Sequence, residues 1–176
     1  KLEDVISIYY LLNSPLRESQ TLPKQRWKRS ISDGPLYGFG FDTLSQKYKV
    51  VCVYRLYNME VTLGEIITEG EACWRRLKIP FQVQFQYMPE TVFVHEAFHW
   101  IIDREDEFFR ANSCPEVILA LNIGDEKFHT FRFPPVEFPE SLSLINCSES
   151  LAVAESNRLD SMARIWKIVG TGTHYQ

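Results

Sequence analysis

Apolar residues recur along this chain in short runs separated by polar turns. Val5–Leu12 (VISIYYLL) is rich in β-branched and aromatic residues. So is Tyr48–Tyr57 (YKVVCVYRLY), where Val51, Val53 and Arg55 alternate with Val50, Cys52 and Tyr54. Such alternation sends successive side chains to opposite faces of a sheet. Further runs of this kind are Glu60–Ile67, Cys73–Ile79, Thr91–Val94, Phe98–Ile102, Val117–Ile123, Phe128–Phe133, Leu142–Cys147, Leu151–Ala154 and Arg164–Val169. Turn formers bound them, among them Asn13-Ser14-Pro15, Asp33-Gly34-Pro35, Glu69-Gly70-Glu71 and Gly124-Asp125-Glu126. No segment sustains a 3.6-residue apolar period beside helix caps. The pattern predicts an all-β chain.

A repeat narrows the architecture. Three segments run from an apolar strand through a polar turn into a second strand that ends in an apolar residue and proline. They close on Leu22-Pro23, Ile79-Pro80 and Phe133-Pro134. Proline ends each ladder because it has no N–H to donate. The ~55-residue spacing is close to the ~50-residue period of a kelch-type propeller blade of four strands. On spacing alone, a β-sandwich with coincidental prolines is the alternative. Mapped onto blades, Val5–Pro23 supplies two strands, Tyr37–Pro80 four, Thr91–Pro134 four and Ser141–Gly170 about three. The expectation is a partial kelch-like propeller of antiparallel four-stranded blades, incomplete in this chain.

Composition leaves that picture intact and removes several functions. The 176 residues are 45% hydrophobic and 24% charged, which is globular composition. Nineteen basic against 23 acidic side chains give a net charge of −4. That balance argues against electrostatic binding of nucleic acid, which needs a strongly basic face. No apolar stretch approaches the ~20 residues of a membrane helix, so no membrane role is expected. Cys52, Cys73, Cys114 and Cys147 form no C-x-x-C pair. They read as free thiols of a reducing compartment, cytoplasmic or nuclear. Asn146-Cys147-Ser148 matches a glycosylation sequon, but one such triplet is common by chance.

Five segments in order resemble the F-box-associated domain of plant F-box proteins, a group that includes the S-locus F-box proteins. Tyr37-Gly38-Phe39-Gly40-Phe41-Asp42 with Lys47-Tyr48-Lys49-Val50-Val51 is similar to that family's GFGYD…YKVV signature. Trp74-Arg75-Arg76-Leu77 resembles its SWRRL strand, and Val92-Phe93-Val94-His95-Glu96-Ala97-Phe98-His99-Trp100 its VFVNGALHWL hairpin. Ile118 to Phe128 resembles ILAFDIGDEKF, and Leu151-Ala152-Val153 with Ile165-Trp166 its LAV…IWV ending. The resemblance implies a propeller-like domain across residues 1–176, without chemistry or cofactors of its own. It implies the substrate receptor of an SCF-type ubiquitin ligase, holding a target protein for ubiquitination. A separate F-box would dock on a Skp-type adaptor and cullin. No such helical module is expected in this chain, and 13 strands fall short of a closed propeller, so a fragment is expected.

Candidate chemistry is confined to one motif. His95-Glu96-Ala97-Phe98-His99 satisfies H-E-x-x-H, which on a helix places two histidines on one face for zinc, with the glutamate as general base. Glu116 could be a third ligand. A zinc-dependent hydrolase is thus one rival reading, and a truncated paralogue without a binding role is another. Eight of the twelve residues from Thr91 to Ile102 are β-branched or aromatic, which favours strand. Where the family has Asn-Gly, His95-Glu96 predicts a strained tight turn or a longer loop. His99 is expected on a blade strand, His129 on an outer strand and His174 in a frayed tail. Gly38-Phe39-Gly40 is no phosphate loop, because no helix follows it.

Two charged stretches are candidate protein-binding surfaces. Lys24, Arg26, Lys28 and Arg29 surround Trp27, an arrangement suited to an interface hot spot, or to a nuclear-import patch. Asp103, Arg104, Glu105, Asp106 and Glu107 precede two phenylalanines and could steer a basic target. For each, an exposed solvated loop is the plainer reading. Trp74 and Trp166 are expected to pack between blades, and Tyr37, Phe39 and Phe41, alternating on one strand, to face the core.

Overall fold

The computed structural model describes residues 10–13, 17–25, 35–55, 62–79, 90–101, 117–132, 136–137, 141–157, 162–169 and 174–175. A short hairpin, β1 (Tyr10–Asn13) and β2 (Glu18–Thr21), comes first. Three four-stranded antiparallel sheets follow, and each is a meander of consecutive strands. The first holds β3 (Leu36–Asp42), β4 (Lys47–Arg55), β5 (Thr62–Thr68) and β6 (Arg75–Leu77). The second holds β7 (Val92–Val94), β8 (Ala97–Ile101), β9 (Val117–Asn122) and β10 (Phe128–Arg132). The third holds β11 (Leu142–Cys147), β12 (Ser150–Asn157), β13 (Met162–Val169) and β14 (His174–Tyr175). The first strands of successive sheets approach one another, β3 to β7 and β7 to β11. The sheets therefore succeed one another as blades of a partial kelch-like propeller with first strands innermost.

The repeat is thus real, with blade ends at β6 and β10 where the prolines predicted them. Two details differ from the expectation. His174 is in no frayed tail: with Tyr175 it forms β14, paired with Ile168 and Val169 of β13. The third sheet therefore has four strands. A two-residue strand carries too little alternation to show in sequence.

The blades are held by apolar faces. Between the first two sheets, Val51, Val53, Ile66 and Leu77 pack with Phe98, Trp100, Leu119, Leu121 and Ile123. Between the second and third, Val92, Val94, Ile101 and Ile118 pack with Leu144, Leu151 and Val153, and Trp166 lies against them. A third cluster covers the other face of the first sheet, where Leu22 meets Val50, Cys52, Tyr54, Ile67 and Trp74. The Trp74 indole donates to the Pro23 carbonyl at 2.7 Å. Trp166 packs between blades as expected, whereas Trp74 packs under the Leu22–Pro23 segment on the other face of the first sheet.

Phe39 does not face the core. It is 53% exposed, stacked on Tyr48 with ring centroids 5.1 Å apart. Gly38 and Gly40 take the inner face instead. A Cβ on Gly38 would lie 2.6 Å from the Phe98 ring, and one on Gly40 2.5 Å from Phe93. The two aromatics of the second blade sit directly on the backbone of β3. Side-chain size alone suggested that the aromatics faced inward, but β3 presents its bare backbone to the next blade.

Candidate functional site

The turns β3–β4, β5–β6, β7–β8 and β9–β10 gather at one end of the first two blades, and charged side chains lock them together. Asp42 ends β3 and is buried. Its carboxylate accepts from Ser45 Oγ at 2.6 Å and Leu44 N at 3.0 Å, and lies 3.0 Å from Lys49 Nζ. Burial alone would raise its pKa. The hydrogen bonds from Ser45, Lys49 and Leu44 outweigh burial and lower the pKa to about 2. Lys49, buried on β4, crosses to the second blade. It donates to the Ile123 carbonyl at 2.6 Å and reaches Glu126 at 3.3 Å. Glu126 also takes both forks of Arg75 at 2.8 Å, which pulls its pKa down. Arg75 Nε donates to Glu71, whose other oxygen accepts from Thr68 N at 2.8 Å.

Tight turns set these groups in place. His95 and Glu96 both have positive φ, 51° and 57°, and Val94 pairs directly with Ala97. This is the tight two-residue turn, made without glycine. Thr43 Oγ1 donates to the Glu96 carboxylate, and Ile123 N donates to the Glu96 carbonyl. Asn122 Oδ1 accepts from Gly124 N and Asp125 N. The fixed end presents Leu44, 81% exposed, over Gly124. His95, Glu69, Asp125 and Lys127 are exposed on the turns of the same end.

This geometry does not support the zinc reading. The H-E-x-x-H segment is the β7–β8 hairpin, so its histidines do not share a helical face. His95 is exposed at the turn, while His99 is buried on β8 with Nδ1 3.3 Å from the Val92 carbonyl. Burial pushes the His99 pKa down to about 4. Among the described residues, no three His, Cys, Asp or Glu side chains gather as a metal site. Glu116 lies outside them. His129 is exposed on the outer strand β10, as expected.

Of the predicted binding residues, Lys24 is exposed beside the first blade. Arg26, Trp27, Lys28, Arg29, Asp103, Arg104, Glu105, Asp106 and Glu107 lie outside the described residues. Sequence reasoning missed the Asp42–Lys49–Glu126–Arg75 lock. Its one visible signal was Lys49 inside the apolar run Tyr48–Val53, since a lysine there needs a buried partner.

One polar cluster lies under the Leu22–Gln25 segment. Glu65 on β5 is buried opposite Cys52, and its Oε2 has no hydrogen-bond partner. Burial raises its pKa, offset in part by Arg76 and Tyr54. Burial likewise pushes the Cys52 thiol up to about 11, an unreactive thiol.

A family model for the F-box associated β-propeller domain matches residues 3–174. Comparison with curated proteins and with solved structures gave no match.

Proposed function

The chain belongs to the F-box associated β-propeller domain family, and from that premise we propose that it is the target-binding part of an SCF-type ubiquitin ligase. Domains of this family serve substrate recognition in F-box proteins. In the proposed reading, an F-box docks on a Skp-type adaptor and cullin in the cytoplasm or nucleus. The propeller holds a protein whose lysines then meet the ubiquitin-loaded enzyme. Its contribution is effective concentration, not chemistry.

The family match across residues 3–174 carries this reading. The architecture supports it physically. One end of the blades is fixed by short turns and the ionic lock. The strand ends flanking residues 56–61 and 102–116 lie at the other, because Arg55, Thr62, Ile101 and Val117 all sit away from those turns. Leu36, which follows residues 26–34, lies there too. We place target contacts on the connections at that end, with Arg26, Trp27, Lys28 and Arg29, which follow Lys24, on one and Asp103 to Glu107 on another. Recognition on long connections carried by a rigid sheet scaffold is a common division of labour.

Cross-linking capture from plant extract, read by mass spectrometry, tests this. A protein is expected to be enriched by the native chain. It is expected to be lost with the triple variant Asp103→Lys, Glu105→Lys, Glu107→Lys or with Trp27→Ala, while β circular dichroism persists. Capture that survives both variants would overturn the placement. Absence of any protein enriched over an unfolded control would overturn the function.

A further inference from the structure

The first sheet buries a carboxyl group that its neighbours satisfy only in part. Glu65 is the middle residue of β5, with Cys52 of β4 on one side and Arg76 of β6 on the other. It is 7% exposed. The Tyr54 hydroxyl hydrogen-bonds its carboxyl, yet Oε2 has no partner. A carboxylate in such a place is costly unless water reaches it. Ladders on both edges fix the backbone of β5, so water can come only from the side of the cover.

That cover is held less firmly than the sheet. Leu22–Gln25 follows β2, belongs to no strand and crosses this face as a strap. Leu22 enters the cluster of Val50, Cys52, Tyr54, Ile67 and Trp74, and the Pro23 carbonyl accepts from the Trp74 indole. At the end of the strap the Gln25 amide is buried beside the Cys52 thiol, with neither Nε2 nor Oε1 paired. A neutral carboxyl and an amide each offer a donor and an acceptor, whereas a carboxylate has no proton to give Gln25 Oε1. Among the described residues, the titratable groups next to Glu65 on this face are Cys52 and Tyr54 on β4, Arg76 on β6 and Tyr37 on β3. Lys24 of the strap is exposed. Burial outweighs Arg76 and the Tyr54 hydrogen bond, so Glu65 titrates above its ordinary 4.5.

We infer that Leu22–Gln25 is a releasable strap, closed over Glu65 while its carboxyl carries a proton and lifted when that proton is lost to solvent. Lifting the strap hydrates the carboxylate and leaves the ladders of β4, β5 and β6 intact. It also uncovers Cys52 and frees the connection that begins at Arg26. Burial fixes the sign. With the strap open, Glu65 titrates at its ordinary value; with it closed, higher. Closure is therefore strongest below pH 4.5 and weakens about tenfold per pH unit above it, until the closed-state value is passed. An effect on target binding through Arg26 to Arg29 rests on the proposed function; the strap itself does not.

Thiol labelling tests it. In the full chain carrying Cys73→Ser, Cys114→Ser and Cys147→Ser, dithiodipyridine has Cys52 as its target, reached only with the strap open. Rates are compared with those of the same chain carrying Glu65→Gln, which has no proton to lose, so the ratio cancels the titration of the thiol. The expected ratio rises about tenfold per pH unit above 4.5 and then levels. Trp74→Phe removes the hydrogen bond to Pro23 and is expected to speed labelling about fivefold at every pH without changing that profile. In the native chain, the amides of Leu22, Lys24 and Gln25, corrected for intrinsic exchange, are expected to lose protection over the same range while β4 and β5 keep theirs. A ratio independent of pH would overturn the inference, as would labelling of Cys52 no faster than global unfolding. Strap protection independent of pH would overturn it even where Glu65→Gln fails to fold. None of these readings involves a target, so their outcome is separate from that of the ligase role.

Discussion

Replacing Gly38 by alanine opposes two effects of different sign. In an ordinary strand the change is stabilising by roughly 0.5–1 kcal/mol, because glycine loses more conformational freedom on folding. Here the added Cβ would lie 2.6 Å from two carbons of the Phe98 ring and 2.8 Å from Val51 Cγ1, about 1 Å inside normal contact. Both neighbours are fully buried, so neither can swing into solvent. Overpacking of this kind costs about 1–3 kcal/mol. The net expectation for Gly38→Ala is a loss of about 1–2 kcal/mol. For a chain of this length that lowers Tm by roughly 2–8 °C. Urea unfolding followed by tryptophan fluorescence reads it directly. Shrinking the ring tests the cause. The double variant Gly38→Ala, Phe98→Leu is expected to be less damaging than the sum of its parts, by about 0.5–3 kcal/mol of coupling. A neutral or stabilised Gly38→Ala, or strict additivity, would refute close packing of the second blade on bare backbone.

Three other outcomes follow from the same structure. Lys49→Ala leaves Asp42 and Glu126 without their shared cation and should cost about 3–5 kcal/mol in urea unfolding, whereas Asp42→Asn with Lys49→Met should recover much of that. In acid, Asp42 and Glu65 act in opposite directions. The Asp42 pKa falls from 3.8 to about 2 on folding, so about 2 kcal/mol of stability is complete above pH 4 and lost as pH falls through 2, a slope that Asp42→Asn should flatten. The Glu65 pKa is raised, so its contribution is full below its ordinary value of 4.5 and lost as pH rises through the folded one, and Glu65→Gln should remove that loss. Finally, zinc or a chelator should leave the unfolding midpoint unchanged by less than about 1 °C. A metal-dependent rise that His95→Ala abolishes would restore the zinc reading.

Much of the fold was legible because blades repeat. The turn–strand–proline punctuation placed β5–β6 and β9–β10, and alternation in Tyr48–Tyr57 placed β4. Phe39 and the ionic lock escaped for one reason: neighbours distant in sequence decided them. Phe39 looked like core because aromatics usually are, yet Phe93 and Phe98, more than fifty residues away, needed the glycines on the inner face. The H-E-x-x-H pattern has no meaning until its backbone is known, and β-branched neighbours made it a hairpin. The ionic lock joins three turns, and only Lys49 in an apolar run betrayed it. β14 is too short to show periodicity at all.

Reconstituted ubiquitin transfer tests the proposed role most directly. The chain is joined behind an F-box and assembled with the Skp-type adaptor, cullin, and activating and conjugating enzymes. The protein captured by cross-linking is then added as substrate. The expected result is ubiquitin on that protein, abolished when the propeller is omitted and reduced by Asp103→Lys, Glu105→Lys, Glu107→Lys. Equal transfer with and without the propeller, or no transfer to a protein the chain demonstrably binds, would contradict a substrate-receptor function.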